Sequence, residues 1–321
     1  MDYNRIRAAN DRLMGHKRVT PLLSSPFLDD IAGKRVFVKP ECLQHTGSFK
    51  YRGAFSAVSA LPDETRAKGV IAFSSGNHAQ GVALAAREHG ISSVIIMPAD
   101  APKTKIDNTR ALGAEVVLYD REHEDRDEIG ARISQERDLT LIKPFDEPEV
   151  IAGQGTCGLE IAQQAAELGI KDADVLVCCG GGGLTSGIAL ALEQDAPNMR
   201  VRPVEPEGFD DVCRSLISGQ IERNPTTLGS LCDAIVTLSP GQLTYPIMQR
   251  LCHAGITVTE EQALHAMQLA HDRLKITIEP GGAVALAAAL FYGDQTSSDC
   301  VIAVASGGNV DRDVFERALT A

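Results

Sequence analysis

Short apolar runs alternate along the chain with longer stretches in which apolar residues recur every three or four positions. The short runs are "RVFVK" (Arg35–Lys39), "VIAF" (Val70–Phe73), "SVIIM" (Ser93–Met97), "EVVLY" (Glu115–Tyr119), "DVLVC" (Asp174–Cys178), "VRPV" (Val201–Val204) and "CVIAVA" (Cys300–Ala305). Their length and β-branched content predict strands, and several are apolar throughout, as strands covered on both faces are. Between them "NHAQGVALAAREHG" and "TEEQALHAMQLAHDRL" carry helical periodicity. Strand–helix alternation predicts an α/β architecture with mainly parallel sheets. No repeat of 20–50 residues and no low-complexity segment interrupts it. The prolines and charges of "KPFDEPEV" (Lys143–Val150) mark a weak candidate boundary between domains.

Parallel α/β sheets bind ligands where the carboxyl ends of strands open into loops and helices. Three such loops are unusual: "SSGNHAQG" after "VIAF", "CGGGGLTSG" after "DVLVC", and "SGGNVD" after "CVIAVA". Each glycine in regular structure costs about 0.5–1 kcal/mol relative to alanine. A tight turn needs only one or two, so Gly180–Gly183 suits backbone amides gathered around an anion at a helix N-terminus. Leu184 stands where a Walker A loop needs its Gly-Lys-Ser/Thr, which disfavours a nucleoside triphosphate. "GQGTCG" (Gly153–Gly158) matches G-x-G-x-x-G, but only "VIA" precedes it, so a helix-entry turn fits better than a dinucleotide site. "SSGNHAQG" (Ser74–Gly81) offers two hydroxyls, an amide and an imidazole where one capping residue, Ser75 or Asn77, would do. Its free amides suit a carboxylate. "VEPEGFDD" (Val204–Asp211) reads either as a solvated acidic loop or as an oxygen-ligand cation site built on Glu205, Asp211 and a main-chain carbonyl. Finally, "HTGSFKYRG" (His45–Gly53) puts Lys50 in a helix's first turn, with Gly47 and Ser48 placed as turn and cap. The helix dipole disfavours an ammonium there. An amine whose pKa is depressed by that dipole and by desolvation is a good nucleophile toward an aldehyde. A lysine, a phosphate cradle and a small hydroxyl residue (Ser306) at a strand end converge on pyridoxal 5′-phosphate (PLP), which has an aldehyde, a phosphate and a pyridine nitrogen.

Composition narrows the field. The 321 residues suggest about two domains, and 44% hydrophobic with 23% charged residues is ordinary for a soluble globular chain. A net charge of −12 leaves no basic footprint for nucleic acid. The polar start "MDYNRIRAANDRLMGHKR" is unlike a signal peptide, and no run approaches membrane-spanning length. Eight cysteines, none in C-x-x-C, sit mostly in apolar stretches and read as reduced thiols of a cytoplasmic protein rather than a zinc site.

The set "SFKYRG", "SSGNHAQG", "CGGGGLTSG", "EPEGFDD" and "ASGGN", with "TPLLSSPFLD" and "IAGQGTCGLEI", resembles the fold type II PLP enzymes over nearly the whole chain. The branch is that of serine/threonine dehydratase, serine racemase and 3-hydroxyaspartate dehydratase. The resemblance implies a tryptophan synthase β-like fold with two parallel-sheet domains. Residues 1–69 plus 147–321 would form a large PLP-binding domain and residues 70–146 a small inserted one. It implies a homodimer.

Carried over by position, Lys50 resembles the Schiff-base lysine and Phe49 the ring packed on the cofactor. Asn77 would hold the 3′-oxygen, Gly180, Gly181, Gly182, Gly183 and Leu184 the phosphate, and Ser306 the pyridine nitrogen. A serine there leaves that nitrogen neutral, which suits β-elimination or racemisation better than transamination. Ser74, Ser75, Asn77 and His78 resemble the loop for the substrate's α-carboxylate, and Ser239 a further substrate contact. Ser75 aligns with the serine facing the lysine in the racemase. Glu205, the Phe209 carbonyl and Asp211 resemble a Mg²⁺ site that also takes Ca²⁺ or Mn²⁺. Phe209 departs from a usual small residue, and "EPGGA" (Glu279–Ala283) is a variant segment. The implied activity is elimination of water from a β-hydroxy amino acid, giving a 2-oxo acid and ammonia. Racemisation and PLP binding without turnover remain as alternatives. The chain ends soon after "SGGNVD", which disfavours an allosteric threonine deaminase and leaves threonine, serine and 3-hydroxyaspartate. Arg126 lies where this branch places an arginine near a diacid's second carboxylate; a surface arginine among acids is the alternative.

Overall fold

The computed structural model describes residues 2–74, 76–101, 103–120 and 122–320. Its strands are β1 (Leu23–Ser24), β2 (Arg35–Pro40), β3 (Val70–Phe73), β4 (Ser93–Pro98), β5 (Glu115–Tyr119), β6 (Thr140–Leu141), β7 (Ala173–Cys178), β8 (Met199–Pro206), β9 (Ile256–Val258) and β10 (Cys300–Ala305). They form two sheets, ordered β1-β2-β10-β7-β8-β9 and β5-β4-β3-β6. All pairings are parallel except β1 with β2. The architecture is α/β, as the alternation predicts.

Two-sided burial explains the continuous apolar runs. In β7, Val175 and Val177 enter one core, beside Ile161, Ala165 and Ile188. Leu176 and Cys178 face the opposite core, built on the helix Pro280–Phe291. β10 divides likewise, Ile302 and Val304 against Val301, Ala303 and Ala305. In the smaller sheet Val70, Ala72, Ile95 and Met97 face one core, and Ile71, Val94 and Ile96 the other. The short strands β1, β6 and β9 escape the sequence pattern because two or three residues carry no periodicity.

"GQGTCG" is not a helix-entry turn. It lies inside the 20-residue helix Pro148–Glu167. Its glycines serve close packing instead: a Cβ on Gly153 would sit 2.4 Å from the Arg52 carbonyl oxygen, and one on Gly155 2.9 Å from that of Gly187. This helix thereby clamps the helix Lys50–Ala60 and the helix Gly183–Asp195, which carry the lysine and follow the glycine run.

Candidate active site

A cavity of about 960 Å³ opens between the two sheets. Its wall brings together Phe49, Lys50, Ser74, Asn77, His78, Gly180–Gly183, Leu184, Arg126 and Ser239. Ser75 lies outside the described residues. Lys50 is the first residue of its helix, as expected, but the preceding cap is Phe49, and Ser48 is buried with its hydroxyl unpartnered. Lys50 Nζ donates 2.9 Å to the Pro144 carbonyl and lies 5.1 Å from the Phe49 ring centre. No carboxylate forms an ion pair with it among the described residues. Desolvation lowers its pKa to about 8, with Glu279 partly offsetting the shift.

The glycine run leaves β7 and enters its helix at Gly183, with Gly182 in the left-handed region at φ 90°. Its glycines are needed partly by protein packing: a Cβ on Gly180 would meet the Ile235 carbonyl at 2.6 Å, and one on Gly181 the Phe145 ring at 2.3 Å. The first helical amides, Gly183 to Thr185, have no intrahelical acceptor and are available to an anion. The hydroxyl of Thr185 on the same cavity wall is buried without a partner. An orphaned buried donor beside free amides fits a phosphate. Sequence reasoning missed Thr185, although a hydroxyl in the first turn after four glycines is a readable signal.

Of the two candidate caps, Asn77 is the first residue of the helix Asn77–Glu88, whose cap is Gly76, and Ser75 lies outside the described residues. The Ser74 hydroxyl accepts from the Gly76 amide at 3.2 Å. Asn77 Nδ2 donates 2.6 Å to Glu279 Oε1, and Asn77 Oδ1 accepts from Asn309 Nδ2 at 2.7 Å. Glu279 is a second residue the sequence reading passed over. It is buried, and desolvation raises its carboxyl to about 7. His78 is buried, and its Nε2 donates 2.9 Å to the Ile142 carbonyl. Desolvation and the nearby Lys50 depress its pKa to about 3, so the ring is neutral.

Other residues stand apart. Ser306 is buried just past the end of β10, its hydroxyl against the Cys178 thiol on the cavity wall, and its carbonyl accepts from the Phe49 amide at 3.1 Å. Arg126 is exposed at the cavity mouth, 3.6 Å from its neighbour Asp127. Lys105 also lines the mouth and pairs with Asp233 at 3.3 Å. Glu205 and Asp211 are buried at the end of β8 and the start of the helix Asp211–Ser218. Glu205 accepts from the amides of Val212 and Cys213 at 3.0 and 2.7 Å, and Asp211 Oδ1 from Asn224 at 2.6 Å. Asp211 Oδ2 is buried without a partner. Phe209 is half-buried, and its amide donates to the Pro206 carbonyl. No group of three or more His, Cys, Asp or Glu side chains poised for a metal occurs among the described residues. No helix among them is long and apolar enough to cross a membrane.

The chain belongs to the pyridoxal-phosphate dependent enzymes: that family's sequence pattern matches residues 13–307. It is 40% identical over 311 residues to a serine racemase of Arabidopsis thaliana, covering 95% of this chain and 92% of the relative. It is equally 40% identical, over 317 residues, to an L-threo-3-hydroxyaspartate ammonia-lyase of Pseudomonas sp, covering 99% and 98%. Among solved structures it resembles the T.th. threonine deaminase at TM-score 0.91 and 43% identity, over 97% of this chain and 99% of that one. The fold is therefore that of the fold type II PLP enzymes. The residues present fit the cofactor: an amine without an ion-pair partner among the described residues shares the cavity with free amides and the orphaned Thr185 hydroxyl.

Proposed function

We propose that the protein is a PLP-dependent ammonia-lyase that eliminates water from a β-hydroxy amino acid, with 3-hydroxyaspartate preferred over serine and threonine. The observation that carries this reading is Lys50, an amine on the cavity wall whose one hydrogen-bond partner among the described residues is a neutral carbonyl. PLP, when bound, acts as an electron sink that acidifies the α-proton of an amino acid held through its nitrogen. Lys50 would anchor it, the amides of Gly180–Leu184 and the Thr185 hydroxyl would take its phosphate, Phe49 would pack on its ring and Asn77 would meet its ring oxygen. A pKa of about 8 leaves a useful fraction of Lys50 as free amine near neutrality, so Nζ serves as base for the α-proton. Ser74, Ser75 and Asn77, with the free amides at their helix start, would bind the α-carboxylate. His78 is held neutral and would orient rather than carry charge there.

Two relatives named as L-threo-3-hydroxyaspartate ammonia-lyases support the diacid, as does Arg126, whose guanidinium has only a 3.6 Å contact with the adjacent Asp127. The equally similar serine racemase favours a second reading, interconversion of enantiomers, with Ser75 as the opposing acid. Glu205, Asp211 and the Phe209 carbonyl would hold Mg²⁺ or a similar hard cation, supported by the orphaned Asp211 Oδ2. Division into residues 1–69 plus 147–321 and an inserted 70–146 is supported by the four-stranded sheet lying within 70–141. Homodimeric assembly rests on the family resemblance, and a cytoplasmic location on the reduced cysteines and the polar N-terminal sequence.

The test is ammonia release from all stereoisomers of 3-hydroxyaspartate, serine and threonine, with chiral chromatography of the remaining substrate. A charge-assisted pair contributes roughly 1.5–3 kcal/mol, so about ten- to a hundred-fold preference in kcat/KM for the diacid is expected, most of it lost in Arg126→Ala. If threonine leads and Arg126→Ala changes nothing, Arg126 is a surface residue and the substrate is a monocarboxylate. Enantiomer interconversion without ammonia release would establish the racemase.

A further inference from the structure

Asn77 has two N–H donors and one carbonyl acceptor. Its carbonyl is taken by Asn309 Nδ2 at 2.7 Å, and Asn309 Nδ2 also donates 2.8 Å to the Thr46 carbonyl. One Asn77 N–H is taken by Glu279 Oε1 at 2.6 Å. A flipped amide would set nitrogen against nitrogen at Asn309 and oxygen against carboxylate at Glu279. The orientation is therefore held from both ends, and one N–H is left over. The neighbouring backbone makes room for this arrangement: a Cβ on Gly307 would lie 2.0 Å from Glu279 Oε1 and 3.0 Å from Asn77 Nδ2. The Glu279 amide in turn donates 3.0 Å to the Gly307 carbonyl, which ties the two segments together.

We propose that Glu279 is the positioning residue for the cofactor's ring oxygen: it fixes the Asn77 amide so that its remaining N–H serves that oxygen, and its charge polarises that donor. This rests on the reading that Asn77 binds PLP. Glu279 is placed to respond to pH. Lys50 and Lys105 face it with positive charge, Asp233 with negative charge, and the Cys42 thiol lies close enough to feel it. Burial raises its carboxyl to about 7, so it passes from neutral to ionised as pH rises through neutrality. The ionised form is the stronger acceptor and holds Asn77 more firmly.

The test is a pH titration of the visible absorption band of the purified holoenzyme, with PLP retention on dialysis and melting temperature measured in parallel. Wild type, Glu279→Gln, Glu279→Ala and Asn77→Ala are compared. Wild type should show a spectral transition near neutrality. Glu279→Gln, which keeps a neutral acceptor for Asn77 without a titrating group, should lose the transition and retain PLP at all pH values as wild type does on the acid side of its own transition. Glu279→Ala should lose the transition and also bind PLP about ten-fold more weakly, the scale of one hydrogen bond to a charged group. A Glu279 that only supports the fold would lower the melting temperature and leave the transition intact in both variants, which overturns the proposal. If Asn77→Ala alters the band while both Glu279 variants match wild type, Glu279 has no positioning role although Asn77 still binds PLP. If Asn77→Ala has the wild-type spectrum and retention, the assignment of Asn77 to the ring oxygen has failed, and Glu279's role with it.

Discussion

Two lysines eleven residues apart, the buried Lys39 and the half-buried Lys50, are handled in opposite ways. Lys39 Nζ reaches Glu160 at 2.7 Å, the Thr20 carbonyl at 2.7 Å and Gln164 at 3.1 Å. Glu160 also accepts from Arg52 at 2.8 Å and Lys17 at 2.6 Å, while Arg52 bonds Glu41 at 2.7 Å. Three cations, Lys17, Lys39 and Arg52, share the two carboxylates Glu41 and Glu160, so each is ion-paired, and the donors of Lys39 are spent. Lys50 has the Pro144 carbonyl and no ion pair among the described residues. The first arrangement fixes the helix Lys50–Ala60 against its neighbours; the second leaves an amine on that same helix with no ion pair among the described residues and only the more distant charge of Glu279 to offset its own. Charge that is matched internally builds the scaffold, and charge left unmatched is available for chemistry.

Breaking the matched cluster should have the largest effect. Arg52→Ala leaves Glu41 and Glu160 buried without their principal partner, and about 3–5 kcal/mol of stability should be lost in urea unfolding. A loss under about 1 kcal/mol would mean that the cluster is incidental. The unmatched Glu205–Asp211 pair should gain from a cation. Mg²⁺ or Ca²⁺ at about a hundred times its dissociation constant should add about 2.7 kcal/mol, raising the melting temperature of chelator-treated protein. The burial of both carboxylates already rules out a solvated acidic loop; an unchanged melting temperature in both cations would mean that protonation and the bonds from Val212, Cys213 and Asn224, rather than a cation, hold the pair.

The cavity's two titrating neighbours should act in opposite directions. His78 has a folded pKa of about 3 against an ordinary 6.5. Its contribution to stability is full above about 6.5 and is lost as pH falls, at up to about 1.4 kcal/mol per pH unit. Glu279, at about 7 against 4.5, contributes fully below about 4.5, and that contribution is lost as pH rises through 7. Unfolding free energies of His78→Gln and Glu279→Gln across this range should separate the two slopes; parallel curves for wild type and both variants would refute the assignment. The smallest stability effect should come from Lys50→Ala in cofactor-free protein. Removing an unmatched, half-buried amine should leave the melting temperature of that protein unchanged or raised, and the same variant supplied with PLP should have no turnover. A large drop in melting temperature would place Lys50 with the scaffold.

Much of this division was legible in the sequence where chemistry and position coincide. β7 and β10 announce themselves because both faces are buried, and Lys50, Asn77 and the glycine run stand at loops where a bland explanation needs fewer such residues. What stayed hidden depends on contacts distant in the chain. The glycines of "GQGTCG" read as a turn because their use, close approach to Arg52 and Gly187, is visible only once three helices pack. Glu279, just before a helix-opening Pro-Gly-Gly, stands out in the sequence only as part of the variant segment "EPGGA"; its burial against Asn77, 202 positions away, is set by tertiary structure.

The contrast between the two lysines is tested most directly by reducing the PLP-loaded enzyme with borohydride, which fixes any cofactor–lysine linkage, and locating the added mass by peptide mapping. The expected result is modification of Lys50 alone, with Lys39 and Lys105 unmodified and activity lost in proportion. Modification of a different lysine, or a fully active loaded enzyme with no modified lysine after reduction, would contradict the assignment of Lys50 as the reactive amine.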